Sequence, residues 1–290
     1  LAVKTTGYKT IDGRSAVLTI DQLSLQLPLY TSWWKRDWAT CLDEFSLTVF
    51  PGEVHAVVGA SGAGKSLLAY AIMDLLPTPA RLNGQLYYQG KPLNASRQRQ
   101  LRGRELALIP QSLSALDPLV RTQRQVTWAA LRAGQPSAHA WHASQQALDH
   151  YQLDARAQQA YAHELSGGMA RRVLTAMAHV SQAKLVIADE PSVGLDPHQR
   201  RRVLDALREL ADQGKSVILI THDLRHALPI ADHVTIMRDG KRVETAPSCA
   251  FQGTGSMLLS AYSQALWLAL PDNAFAATTT RRVEQEAHVA

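Results

Sequence analysis

The sequence predicts an α/β fold: a largely parallel core sheet, antiparallel strands added beside it, and a helical segment inserted into it. Three observations lead there. Short apolar runs at 54–58 (VHAVV), 185–189 (LVIAD) and 216–223 (SVILITHD) read as strands, and each is followed by a helical pattern, the alternation a parallel sheet requires. The runs LTIDQLSLQL (18–27) and CLDEFSLTVF (41–50) alternate apolar and polar residues, as strands with one solvated face do. From about 112 to 180 the chain turns rich in Ala and Gln and poor in strand formers, which predicts a helical subdomain inside the α/β core.

In chain order, residues 1–17 are predicted to be a flexible start. The half-exposed strand at 18–27 is followed by TSWWKRDWATC, with Trp33, Trp34 and Trp38 beside Lys35 and Arg36, then by the second alternating strand. Pro51-Gly52-Glu53 turns the chain into VHAVV, and LLAYAIMDLL, apolar on most sides, is a largely buried helix. LNGQLYYQGKPL reads as a hairpin around Gly90, NASRQRQ as a basic helix and ELALI as a strand ending at Pro110-Gln111. TQRQVTWAALRAG and SAHAWHASQQALDHYQL are helical, joined by Gly134-Gln135-Pro136, and ELSGGMARRVLTAMAHV opens another helix. PHQRRRVLDALRELADQG is a helix ending at Gly214, LRHALPIAD a short one broken by Pro229, and HVTIMRDGKRVE a hairpin around Asp239-Gly240. The main domain is placed at 18–250, followed at 251–290 by an amphipathic helix (SMLLSAYSQALWLAL) and a disordered tail. No internal repeat is apparent.

Composition narrows the class. The 290 residues, 46% hydrophobic and 19% charged, allow one large globular domain or two small ones. A net charge of +5 suits a surface facing a membrane or a nucleic acid without choosing between them. The two cysteines, Cys41 and Cys249, are too few for a disulfide framework or a four-cysteine metal or cluster site, and fit a reducing compartment. The apolar stretch at 257–271 is too short and too often polar to span a bilayer, and no secretory signal is visible, so the protein is expected to be soluble.

The chemistry starts at residues 59–66, Gly-Ala-Ser-Gly-Ala-Gly-Lys-Ser, which match G-x-x-x-x-G-K-[ST] at every fixed position between a strand and a helix. Glycines let backbone N–H groups converge on phosphate oxygens at the positive end of the helix dipole. Lys65 is expected to reach the β- and γ-phosphates and the Ser66 hydroxyl to ligate Mg²⁺, so the chain binds a nucleoside triphosphate. Asp189, at the end of a second buried strand, is the expected further holder of Mg²⁺, and adjacent Glu190 the base that polarises attacking water. Two acids at the end of an apolar strand are costly to desolvate unless a cation or proton is close. Gln111, after a third strand, presents an amide able to see both metal and water, and His222, after a fourth, a donor to the γ-phosphate; each signal is weak when taken alone. Leu165-Ser166-Gly167-Gly168-Met169 makes a second anion-binding helix start, which with only one phosphate-loop lysine suggests service to another molecule's nucleotide.

This set (GASGAGKS, Gln111, LSGGM, VIADEP, Gly194-Leu195-Asp196 and His222, in this order and spacing) resembles the ATPase subunits of ABC transporters over roughly residues 18–245. The resemblance implies a P-loop ABC ATPase: a RecA-like core, an antiparallel β subdomain and an inserted α-helical subdomain. It implies ATP and Mg²⁺ as ligands. Gly59, Ser61, Gly62, Ala63, Gly64, Lys65, Ser66 and Leu67 would cradle the phosphates, with Ser66, Gln111 and Asp189 around the metal. Glu190, His222 and Lys65 would be catalytic. It further implies a head-to-tail dimer of two ATPase subunits, identical or paired, in which Ser166 and Gly168 contact the partner's nucleotide and Asp196 lies in the interface loop. An aromatic residue upstream of the phosphate loop would stack on adenine: Trp34, with Trp33 and Trp38 as alternatives. Two transmembrane permease subunits would dock on the helical subdomain, with an extracytoplasmic solute-binding protein behind them. The chain would then be peripheral on the cytoplasmic face of the inner membrane, with no nucleic-acid partner.

Finer features are similar to the peptide and nickel importer branch: HELSGGM (163–169), QSLSALDPL (111–119), ITHDLRHALPIADHVTIMRDGKRVE and YSQALWLALPDNAF. MARR departs from that branch's Met-Arg-Gln-Arg. Cys249 stands alone where many peptide importers carry a cysteine-rich segment, which argues against an iron–sulfur cluster and toward the nickel or metallophore members. The other readings are a soluble ATPase of the same superfamily acting on nucleic acid or the ribosome, whose usual second ATPase domain or long insertion is not seen here, and an exporter subunit. His222 and His226 have the i, i+4 spacing of a metal pair, set against the role already given to His222. His139, His142 and His150 carry no assigned chemistry, and Arg200, Arg201 and Arg202 are read as a solvated helix face.

Overall fold

The computed structural model describes residues 10–11, 14–32 and 35–270. Strands β1 (Thr10–Ile11) and β2 (Arg14–Ser15) form a small antiparallel pair. Strands β3 (Leu18–Ser32) and β4 (Lys35–Val49) make an antiparallel ribbon much longer than the two alternating stretches of sequence. Its base buries Leu18, Ile20, Leu23, Leu25, Leu42, Phe45, Leu47 and Val49. Beyond it the ladder continues with Gln26 opposite Thr40 and Leu29, 52% exposed, opposite Asp37. Leu27 and Leu29 prolong the alternation of Leu23 and Leu25 past the buried base, on a face that is no longer fully buried. Positive φ at Gln22 (48°) and Glu44 (48°) accompanies shifts of register between the two strands, the mark of bulges that bend the ribbon.

The core follows as β5 (Val54–Val58) and α1 (Lys65–Met73), then β6 (Arg81–Tyr88), β7 (Lys91–Pro92), α2 (Ala95–Leu101) and β8 (Leu106–Ile109). The helical segment comprises α3 (Thr122–Arg132), α4 (Ser137–His150), α5 (Ala155–Gln159) and α6 (Gly167–Val180). The chain returns to the sheet with β9 (Leu185–Asp189), α7 (Pro197–Asp212), β10 (Ser216–Thr221), α8 (Leu224–Ala227), β11 (His233–Arg238) and β12 (Lys241–Pro247), and ends its described part with α9 (Ala261–Leu268).

The central sheet has the order β12-β11-β5-β10-β9-β8, parallel except for β12, and a second, antiparallel sheet has the order β4-β3-β6-β7. The period of two divides the strand residues between two cores. Val54, Ala56, Val58, Val186, Ala188, Val217 and Leu219 face a core shared with α6 and α7, while Val57, Leu185, Ile187, Ile218 and Ile220 face α1 and the antiparallel sheet. Burial on both faces explains why these strands read as nearly continuous apolar runs. In α7, Val203, Leu204, Leu207, Leu210 and Ala211 form the buried stripe, with Asp196 capping its first turn ahead of Pro197. Residues 251–270 fold back on the first core through Phe251, Leu258 and Trp267, and the Glu244 carboxylate accepts the Leu259 and Ser260 N–H groups at 2.7 and 3.0 Å. Among the described residues no helix is long and apolar enough to cross a membrane.

Candidate active site

Parallel register brings the chemistry together. Val58 on β5 is opposite Thr221 on β10, Ile220 is opposite Asp189 on β9, and Ala188 is opposite Ile109 on β8. The residues just past these strand ends (Gly59, His222, Glu190 and Gln111) therefore leave one edge of the sheet side by side, in the crevice at the carboxyl ends of the strands where α/β folds bind ligands.

The glycines of the loop are dictated by space as well as by φ. A Cβ on Gly59 would stand 2.3 Å from the Met237 carbonyl oxygen. Gly64, at φ 97° just before α1, would place one 2.5 Å from the Cys41 carbonyl oxygen on β4. Lys65 is buried, and its Nζ donates to the Gly59 and Ala60 carbonyls at 2.8 and 2.9 Å. Burial pulls its ammonium below the usual lysine range, opposed by the charges of Glu190 and Asp189. Ser61 and Gly62 are exposed on the loop, Ala63 is buried, and the Leu67 side chain packs on the second core, so its backbone N–H is what it offers an anion.

The Ser66 hydroxyl donates to Asp189 Oδ1 at 3.0 Å. Asp189 is fully buried, its Oδ2 has no hydrogen-bond partner, and burial pushes its carboxyl up in spite of Ser66, Lys65 and Arg171. A buried carboxylate oxygen without a partner, next to a hydroxyl and at the mouth of a phosphate loop, is the hard-oxygen environment that suits Mg²⁺. Glu190 is buried at φ 45°, a left-handed conformation uncommon for this residue, and its N–H donates to the Ile220 carbonyl at 2.9 Å. Its two carboxylate oxygens are held by His222 Nδ1 at 2.8 Å and by Thr221 Oγ1 at 3.3 Å. His222 is half-exposed, so its ring borders both the carboxylate and solvent.

Two residues that sequence reasoning passed over complete this group. Thr221 holds Glu190 and also accepts the Asp223 N–H at 3.1 Å, which fixes the turn that carries His222. Buried Arg171, on α6, donates to the Pro110 carbonyl at 2.7 Å and to that of Gln111, tying the exit of β8 to the helical segment. Burial pulls the Arg171 guanidinium down, while the negative charges of Asp189 and Glu190 hold it up. The only signal for it was the departure at MARR. The Gln111 side chain itself is exposed.

Ser166, Gly168 and Asp196 form a second group. Ser166 caps α6 through the Met169 N–H (3.2 Å), and Asp196 caps α7 through the Gln199 N–H (2.9 Å). The two helix starts touch: a Cβ on Gly168 would stand 3.0 Å from Gln199 Oε1. Trp33 and Trp34 lie outside the described residues; Trp38, the other aromatic candidate, carries the Arg81 guanidinium 3.8 Å from its ring centroid.

His222 and His226, whose i, i+4 spacing is set against the role given to His222, engage different partners: His222 meets Glu190, while His226 meets Asp223 and, at 3.0 Å, Arg200. One sequence reading changes: Arg200, read as part of a solvated helix face, is partly buried and also donates to the Leu195 carbonyl at 3.2 Å, bracing the loop before α7. Position on one helix face did not predict this, because His222 precedes α8 and points back to the sheet.

Comparison with known proteins gives the family. The ABC transporter family model matches residues 42–193. The chain belongs to the ABC transporter family. A peptidoglycan transport ATP-binding protein of Agrobacterium fabrum is 39% identical over 71% of this chain, which spans 40% of that relative's length. A putative peptide import ATP-binding protein of Brucella abortus is 34% identical over 81% of the chain and 73% of its own length, and a nickel import ATP-binding protein of Pseudomonas putida 39% identical over 68% and 78%. A dimeric ATP-binding cassette, solved in a post-hydrolysis state with ADP and phosphate, superposes with a TM-score of 0.70 at 20% identity over 80% of this chain and 98% of its own. The fold is that of an ATP-binding cassette.

Proposed function

We propose that the chain is the ATP-hydrolysing subunit of a membrane importer for oligopeptide or for nickel and metal chelates. The supporting observation is the buried Glu190 carboxylate, fixed by His222 at 2.8 Å one residue beyond the Asp189–Ser66 pair. The names of the relatives, peptide and nickel import ATP-binding proteins, supply the solute classes. Residues 18–250 form the ATPase unit, with the helical part at about 112–180 and the segment 251–290 following it. Gly59 to Leu67 wrap the phosphates, Lys65 exchanges its loop carbonyls for β- and γ-phosphate oxygens, and Trp34 stacks on adenine. Ser66, Asp189 and Gln111 would hold Mg²⁺, which when bound neutralises charge on the phosphate oxygens. Glu190 orients the attacking water and takes up its proton, and His222 donates to the γ-phosphate.

In this proposal a second ATPase subunit sits head to tail, so that Ser166 and Gly168 reach its nucleotide and Asp196 lies at the contact. Two permease subunits dock on the helical segment at the cytoplasmic face of the inner membrane, and a solute-binding protein delivers from outside. Exchange of Glu190 for Gln is expected to keep ATP binding while lowering turnover about 10²-fold or more. Turnover near the parent rate would remove Glu190 from its role. In cells carrying that variant, loss of labelled nickel uptake alone assigns the metal branch, and loss of labelled oligopeptide uptake alone the peptide branch.

A further inference from the structure

The opposite end of the same strands holds a second cluster of His and Glu. Glu53 stands just before β5, His55 lies within it, and His233 opens β11, directly opposite His55 in the parallel register. Glu53 and His55 are 4% and 2% exposed. His55 Nδ1 is 3.5 Å from Glu53 Oε1, and His233 Nδ1 is 3.3 Å from Glu53 Oε2. One ligand atom from each of the three residues lies within 4.8 Å of the others, the one such grouping of His, Cys, Asp or Glu among the described residues.

We propose that Glu53, His55 and His233 bind a transition-metal dication of the zinc, cobalt or nickel class, as a staple between β5 and β11. Bonds of about 2.0–2.2 Å set tetrahedral ligand atoms roughly 3.4 Å apart; each imidazole Nδ1 stands near that distance from a different carboxylate oxygen of Glu53, His55 from Oε1 and His233 from Oε2. His55 Nδ1 is buried without a hydrogen-bond partner and is the ring nitrogen on the Glu53 side; with Nε2 as the protonated nitrogen it is free to ligate. Its other nitrogen, Nε2, shares a hydrogen bond of 2.8 Å with Thr235 Oγ1, which in turn bonds Thr245 Oγ1 at 2.7 Å. Such a partner on the far nitrogen is what orients a metal-bound imidazole. The Phe50 N–H, 2.8 Å from Glu53 Oε1, orients the carboxylate in the same way. Two imidazoles and one carboxylate suit a borderline ion better than Mg²⁺ or Ca²⁺, which favour oxygen. The half-exposed His233 leaves a path from solvent and a fourth position for water. At about 3.3 Å per residue, His55 is roughly 10 Å along β5 from Val58, well separated from the phosphate loop.

The test is Zn²⁺ titration of the full chain, with Co²⁺ as the visible-absorption probe, in excess Mg²⁺ so that Ser66 and Asp189 do not compete. The parent is expected to bind one equivalent, with nitrogen–oxygen cobalt absorption and a rise in Tm. His233→Ala, at a half-exposed position, and Glu53→Gln, which keeps the acceptor for Phe50, are each expected to weaken binding more than about tenfold. His139→Ala, on the exposed face of α4, is the control and should bind as the parent does. Absence of saturable binding by the parent would overturn the site and leave Glu53 and His233 as an ion pair. Binding untouched by both substitutions would place the metal elsewhere.

Discussion

The two ends of the parallel sheet use the same residue types for different purposes. At the carboxyl ends, Glu190 meets His222 at 2.8 Å; at the amino ends, Glu53 meets His233 at 3.3 Å and His55 at 3.5 Å. At the carboxyl ends the acid and the histidine sit past the strands, on turns held by Thr221 and by a left-handed Glu190. Glu190 lies close enough to Lys65, at the N-terminus of α1, for its charge to act on the ammonium, and a helix N-terminus attracts phosphate. At the amino ends His55 is locked within a strand by Thr235 and no phosphate loop faces it. On the proposed readings a Glu–His pair is therefore not a function in itself: the groups opposite assign proton transfer to one pair and ion binding to the other.

The Glu190→Gln exchange described above is the largest expected effect and the sharpest break of this comparison. If the carboxyl-end pair alone is catalytic, no change at Glu53 should reproduce it. Next is Gly64→Ala, which forces a Cβ into the left-handed region against the Cys41 carbonyl. It is expected to cost roughly 1–3 kcal/mol of stability, read as a lower urea midpoint, and to weaken ATP binding. A wild-type midpoint with intact nucleotide affinity would show that the loop does not need this geometry.

Arg171→Met leaves the Pro110 and Gln111 carbonyls without their donor. The expected loss is about 1.5–3 kcal/mol, with turnover falling because the exit of β8 is no longer tied to α6. Retention of full turnover in the folded variant would mean that this tie does not position the site. The smallest effect concerns Lys215, whose Nζ donates to the carbonyls of Ala178, His179 and Ser181, the nearest of them at 2.8 Å. Burial pulls it down to about 8. Between there and the ordinary lysine value the unfolded chain binds more protons than the folded one, so this group makes stability rise as pH rises from about 8 toward 10 and withdraws that gain as pH falls through 8. Urea midpoints of the parent minus those of Lys215→Met, followed across that range, should climb; a flat difference would show that the three carbonyls hold the charge at no cost.

Much of the site was legible in the residues. The phosphate loop announces itself because glycine spacing, Lys65 and Ser66 are local to one strand–loop–helix unit, and the Asp189–Ser66 contact followed from what the chemistry requires. Glu190 and His222 were each named, yet their bond was not, since it depends on β9 and β10 being neighbours in register. Arg171 was hidden for the same reason: its partners are about sixty residues away in the chain.

The sequence by itself determined the class of fold, the strand–glycine loop–helix unit and the place of the acids at a strand end, because periodicity and short motifs record interactions between near neighbours in the chain. The tertiary structure alone decided the rest. It paired Glu190 with His222, turned His226 to Asp223 and Arg200, and gathered Glu53, His55 and His233 at the foot of the sheet. Each of these depends on strand order and register, which bring distant residues within bonding distance and leave no periodic mark in the sequence.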